Sequence, residues 1–276
     1  MAQGSAAAGI MPLPGRTKVV PDLPRPLNPD YGSGTFRRRL TYRVKAGPGG
    51  VTARMHLLDV FHDMQVVIRV EAGRVAAVDG AMARHPNTTC PGAIAALQDL
   101  VGLPLVGAAQ TLRQAAMSRH CTHLRDAASW VLGALERGEP DFITEFAITD
   151  ADAADRQHLT MTTNGVVRLA LDLEAMVITA PAALAGRAMF GGFGRWVDET
   201  YAGREADDWR MTQIAFFVAR GRRWRVDGDP GIAVGVEHSR EGVCHAFTRP
   251  SFPDALSIVG FTRDFSAGLP PVEEVE

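Results

Sequence analysis

The feature that most narrows the fold is a change of hydrophobic period at Cys90. From Phe36 to Met82 the chain runs in short, partly alternating segments: FRRRLTYRV, VTARMHLLDV, HDMQVVIRVE and RVAAVDGAMA. GPGG at 47–50 and Glu71-Ala72-Gly73 punctuate them. Alternation at period two marks a strand with one buried face, and a tight glycine turn between two such runs reads as an antiparallel hairpin. A three- or four-stranded antiparallel sheet is expected here. Beyond Cys90 the spacing becomes helical. Ile94, Leu97 and Val101 share a face of CPGAIAALQDLVG, with Pro91 at a first-turn position that tolerates it and Gly102 and Pro104 as stops. VGAAQTLRQAAM fits a second short helix. CTHLRDAASWVLGALERG places Leu124, Ala127, Ala128, Val131, Leu132 and Leu135 on one face and ends at Gly138. Strands followed by helices predict an α+β fold: an antiparallel sheet followed by packed helices.

The 276 residues suit one large domain or two small ones. Residues 1–34 hold six prolines and few aliphatic side chains, which predicts an arm rather than a core. The acidic, polar stretch at 139–160 is the expected boundary between a first α+β domain, 35–138, and a second α+β region, 139–276. In that second region VVRLALDLEAMVITAP reads as one or two strands. AALAGRAMFGGFGRWVDETYAG reads as a helix broken by Gly191, Gly192 and Gly194, and DDWRMTQIAFFVARG as another helix. VCHAFTRP and LSIVGFTRDF read as terminal strands, and no internal repeat is apparent.

Composition excludes several classes. Lys and Arg total 29 against 31 Asp and Glu, a net charge of −2 that does not favour a nucleic-acid surface. At 46% hydrophobic residues the chain has enough apolar material for a core. The three cysteines, Cys90, Cys121 and Cys244, are too few for a disulfide framework and fit a reducing cytoplasm. No apolar run approaches a membrane span, and MAQGSAAAGIMPLPGRTKVV lacks the pattern of a secretory leader. A cytoplasmic protein without nucleic-acid or membrane partners is expected, with a homodimer as the default assembly.

Polar residues of the first half sit where elements begin. His62 and Asp63 open a strand, Cys90 opens a helix, and Cys121 and His123 open another. A thiol at a helix N-terminus is expected to have a lowered pKa, favouring the thiolate that binds metals and attacks electrophiles. Thiolates, imidazoles and a carboxylate could hold zinc or iron, with His62, Cys90, Cys121 and His123 as ligands. The plainer readings are a buried cysteine acting as a small hydrophobe and Thr122 acting as a helix cap. Cys244 and His245, adjacent on an expected strand, would point to opposite faces and are read as structural. MFGGFGRW lacks the strand–GxGxxG–helix context of a dinucleotide site, and no Walker-type motif occurs, so no nucleotide cofactor is expected. Phe193, Trp196 and Trp224 are the residues expected to line a pocket for a planar substrate.

The run HDMQVVIRVEAGRVAAVDGAMARHPNTTCPGAIAALQDLVGLPL, followed by CTHLRDA, resembles the bacterial family catalogued as domain of unknown function 2889 over roughly residues 35–137. The resemblance implies that His62, Asp63, Cys90, Cys121 and His123 occupy its motif positions. Asp59 corresponds less well, because its spacing to His62 is shorter than is usual in that family. The order of strand pair, cysteine-led helix and a further cysteine-led helix is also similar to iron–sulfur cluster assembly scaffolds, although only two cysteines fall in matching order.

These readings predict a small-molecule catabolic enzyme using acid/base or metal-assisted chemistry, with His62, Asp63, His123 and Cys121 as catalytic residues. His62 or His123 would be the base, and Asp63 would orient it or hold a metal. The family resemblance implies an aromatic substrate, with a lyase as the first reaction to consider. The alternative is a metal or iron–sulfur carrier without turnover.

Overall fold

A computed structural model of the chain describes residues 26–227 and 240–272. The expected N-terminal arm therefore falls mostly outside the described residues. Eight strands form one antiparallel sheet: β1 (Thr35–Gly47), β2 (Gly50–Asp59), β3 (Asp63–Glu71), β4 (Arg74–Arg84), β5 (Phe142–Thr149), β6 (Arg156–Thr163), β7 (Val166–Glu174) and β8 (Val177–Ala180), in the order β4-β3-β2-β1-β5-β6-β7-β8. The fold is α+β. The helices are α1 (Ala108–Gln114), α2 (Thr122–Glu136), α3 (Phe193–Thr200), α4 (Gly203–Ala219) and α5 (Ser251–Asp254), and Cys90–Leu100 forms a run of 3-10 turns.

Alternation explains how the first four strands lie. Phe36, Leu40 and Tyr42 of β1, Ala53, Met55 and Leu57 of β2, and Met64, Val66, Ile68 and Val70 of β3 are all buried, each set at period two. The β3–β4 hairpin turns at Ala72 and Gly73, both with positive φ, the geometry that follows the natural twist of the paired strands. The β2–β3 turn is tied by the Asp59 N–H donating to the His62 carbonyl at 2.9 Å. The expected first helix, at Cys90, is instead wound in 3-10 turns. The buried α2 face includes Leu124, Ala127, Ala128, Val131, Leu132 and Leu135, and Gly138 at φ 65° closes the helix as expected.

The stretch expected to be a boundary contains β5, which is central. β5 pairs with β1 from Thr35↔Thr149 to Tyr42↔Phe142, and its Phe142, Thr144, Phe146 and Ile148 face inward. Its charged and polar residues are the outward half of an alternating strand, so local composition concealed it. One buried core runs through both halves, from Phe36 and Val66 to Leu159, Phe216 and Phe261. The halves repeat an order: a four-stranded meander followed by helices, joined where β1 and β5 run antiparallel. This architectural repeat has no counterpart in a sequence period.

The expected terminal strands are absent from the described residues. VCHAFTRP forms a 3-10 turn at His245–Phe247, α5 follows, and the later segment makes isolated bridges, one of them from Ser257 to Asn87. Cys90 packs with Ala246, Phe247, Phe252 and Ala255 in a small second cluster. Among the described residues no helix is long and apolar enough to cross a membrane.

Candidate active site

Two charged residues interrupt the inward, apolar phase of adjacent strands. Arg38 follows Phe36 on the buried face of β1, and Asp59 follows Leu57 on that of β2; the two are cross-strand partners and both are fully buried. Arg38 Nε and Nη2 donate to Asp59 Oδ2 at 2.8 and 2.6 Å. Asp59 Oδ1 accepts the backbone N–H groups of Phe61 and His62 at 2.7 and 2.8 Å, which curls the turn around the carboxylate. His62 Nδ1 lies 3.1 Å from the same oxygen. Burial works to raise the Asp59 carboxyl, but the Arg38 guanidinium and the His62 ring outweigh it, and Asp59 is held well below the usual carboxylate range.

His123, in the first turn of α2, lies against His62 with ring centroids 3.8 Å apart and an interplanar angle of 33°. Burial, with the neighbouring His62 and Arg38, pushes the His123 imidazole well below its ordinary value of 6.5, so it is neutral at physiological pH. Phe61 meets the His62 ring edge-on at 6.2 Å and packs with Phe36 and Phe261, giving His62 an apolar, aromatic flank. Arg84 ties the turn down, donating to the carbonyls of Asp59, Val60 and His62 at 2.7, 2.7 and 3.1 Å.

Asp63 does not orient His62. One position further along, it faces outward, and its Oδ1 is 2.8 Å from Nε2 of His56 on β2. Strand alternation sends it to the other side of the sheet. The orienting carboxylate is Asp59, whose signal was available in the sequence: an acid in the inward phase of β2, opposite an arginine in the inward phase of β1.

The cysteines behave differently from the helix-terminus expectation. Cys121 does cap α2, and its sulfur is close to the His123 and Leu124 N–H groups that lower a thiol pKa. Burial outweighs them, and the Cys121 thiol is raised well above its usual value. Burial also pushes Cys90 up to about 12 and raises Cys244. These are protonated thiols in packed surroundings, not poised nucleophiles.

His62, Cys90, Cys121 and His123 do not fit a metal as arranged. His62 Nδ1 is turned to Asp59, and the His123 ring lies tilted at 33° against the His62 ring. Among the described residues no group of three or more His, Cys, Asp or Glu could hold a metal ion.

The chain matches the family described as protein of unknown function (DUF2889), over residues 43–134. The DUF2889 segment begins within β1 and ends in the last turn of α2, so it carries Asp59, His62, Asp63, Cys90, Cys121 and His123 and leaves out Arg38. No curated protein and no solved structure matches the chain.

The residues expected to bind a planar substrate lie elsewhere. Phe193 and Trp196 of α3 pack edge-on at 5.1 Å within a cluster completed by Tyr201 and Trp209, and Arg187 covers the Trp196 ring at 4.6 Å. Trp224 is separate from that cluster, 39% exposed and bridged through its backbone to Leu27. Two open hollows lie over the sheet, one of about 520 Å³ beside His158 and Asp172 and one of about 380 Å³ beside Arg37 and Thr160. Neither adjoins the DUF2889 histidines.

Proposed function

We propose that the protein is a small-molecule enzyme of proton-transfer type, a lyase, with His62 as its base. The observation that carries this reading is the buried contact of His62 Nδ1 with Asp59 at 3.1 Å. A neutral imidazole donating from Nδ1 to a carboxylate carries its lone pair on Nε2, ready to accept a proton. Asp59 positions the ring, and Arg38 keeps Asp59 ionised. The neutral His123 ring against His62 is a second donor or acceptor for the substrate.

In the reaction His62 Nε2 removes a proton from carbon next to a carbonyl. The C–H electron pair forms a C=C bond as the β-carbon–leaving-group bond breaks, and the imidazolium returns its proton to the departing group. The aromatic flank of Phe61 and Phe261 favours an aromatic substrate.

Deuterium exchange tests this. The protein is incubated in D2O with a panel of aromatic β-hydroxy carbonyl compounds, and α-deuteration and cleavage are followed by NMR. The expected result is exchange or cleavage that His62→Gln loses while its melting profile stays cooperative. Identical behaviour of the two proteins across the panel overturns the assignment.

A further inference from the structure

On the opposite face of the sheet from Asp59, the cross-strand registers build a hollow with a polar rim. Arg37 of β1 is paired with Ala147 of β5, which is paired with Thr160 of β6. One step along, Arg39 is paired with Glu145, which is paired with Thr162. Neighbouring strands are about 4.8 Å apart, so Arg37 and Thr160 stand roughly 10 Å apart across the small Ala147 side chain. The missing bulk at Ala147 leaves a hollow of about 380 Å³, whose lining also includes Gly268 and Leu269 of the C-terminal segment.

Its charge is set by contacts within the chain. Arg39 Nε donates to Glu145 at 2.8 Å, and Arg39 Nη1 donates to the Pro270 carbonyl at 2.6 Å, so that pair is fixed and neutral. Arg37 is anchored through Nε to the Ser266 carbonyl at 3.3 Å, and among the described residues its two terminal nitrogens take no hydrogen-bond partner. Arg37, Arg39 and Glu145 sum to one positive charge. Two threonine hydroxyls add neutral donors, and Leu269 and Ala147 add an apolar surface.

We propose that this hollow is a binding site for a small organic monocarboxylate. Its carboxylate takes the terminal nitrogens of Arg37 and the hydroxyl of Thr160 or Thr162, and its apolar part lies over Ala147 against Leu269. An arginine fork suits a carboxylate, which can accept two parallel hydrogen bonds. The site is independent of His62, being on the other face of the sheet.

Benzoate serves as the probe, titrated into the full chain with amide and threonine-methyl resonances observed by NMR. Saturable shifts at Ala147, Thr160 and Thr162 are expected. Arg37→Gln and Ala147→Leu are each expected to weaken binding at least tenfold, the first by removing the charge and the second by filling the hollow with the charge intact. Benzamide, the neutral isostere, is expected to leave these resonances unmoved. Equal binding of benzamide, stronger binding of inorganic phosphate, or a benzoate response that is absent or unchanged in both variants overturns the proposal.

Discussion

Arg38 and Asp59 face one another across β1 and β2 on the buried side of the sheet, joined by hydrogen bonds of 2.8 and 2.6 Å. Neither belongs in an apolar core alone. Together with the Phe61 and His62 N–H groups they make a neutral, hydrogen-bonded unit at the head of the β2–β3 turn. Removing one partner is far worse than removing both, because a buried charge is then left uncompensated. Asp59→Asn is expected to cost about 3–5 kcal/mol. The double replacement Arg38→Met with Asp59→Leu is expected to lose clearly less than the sum of the single changes. Urea unfolding of the wild type, Asp59→Asn, Arg38→Met, Asp59→Leu and the double replacement measures both.

Stability should fall on mild acidification. The His123 pKa is lowered in the folded protein, whereas in the unfolded chain it is about 6.5. The unfolded state therefore binds more protons as pH drops below about 6.5, and stability declines from there toward the folded-state value. His120 and His245 are lowered too and act in the same direction. A second loss begins below about pH 4, where the unfolded Asp59 carboxyl protonates while the folded one stays ionised. Denaturation series at pH 8, 6, 5, 4, 3 and 2 should show both steps, and His123→Gln should shrink the upper one.

The thiols should be sluggish. With Cys90 pushed up to about 12, and Cys121 and Cys244 also raised, a thiol reagent at pH 8 should label the native protein slowly. All three thiols should react at once in denaturant. Fast stoichiometric labelling of Cys121 in the native state would restore the nucleophile reading.

His56 and Asp63 form a half-exposed pair on the outer face, where solvent screens the interaction. Asp63→Asn is expected to change stability by roughly 0–1 kcal/mol. It should leave deuterium exchange by His62 intact, whereas Asp59→Asn should lower the exchange rate even in the folded fraction. Parallel melting and exchange measurements on the two variants separate the orienting carboxylate from its neighbour.

The candidate site was half legible. His62 and His123 stood out because each opens an element next to another polar group, and the two rings do meet. Their carboxylate was misread because Asp63 is adjacent in sequence, while the strand period gives adjacent residues opposite faces. Arg38 was hidden for a similar reason. In RRR only the middle arginine shares the phase of Phe36 and Leu40, and its burial makes sense only with Asp59 across from it. The aromatic residues of the second half were visible as a group, yet their packing separates Trp224 from Phe193 and Trp196.

Local periodicity determined the four-strand meander, the turn at Ala72 and Gly73, and the extent of α2, because each depends on side chains near in sequence repeating at a fixed interval. Tertiary structure alone decided that β5 joins β1 at the centre of one sheet, that the His123 ring comes to lie against the His62 ring, and that burial overrides the helix terminus at Cys121. Those outcomes depend on which strands become neighbours and how much water is excluded. Both are properties of contacts between distant segments, which no local pattern carries.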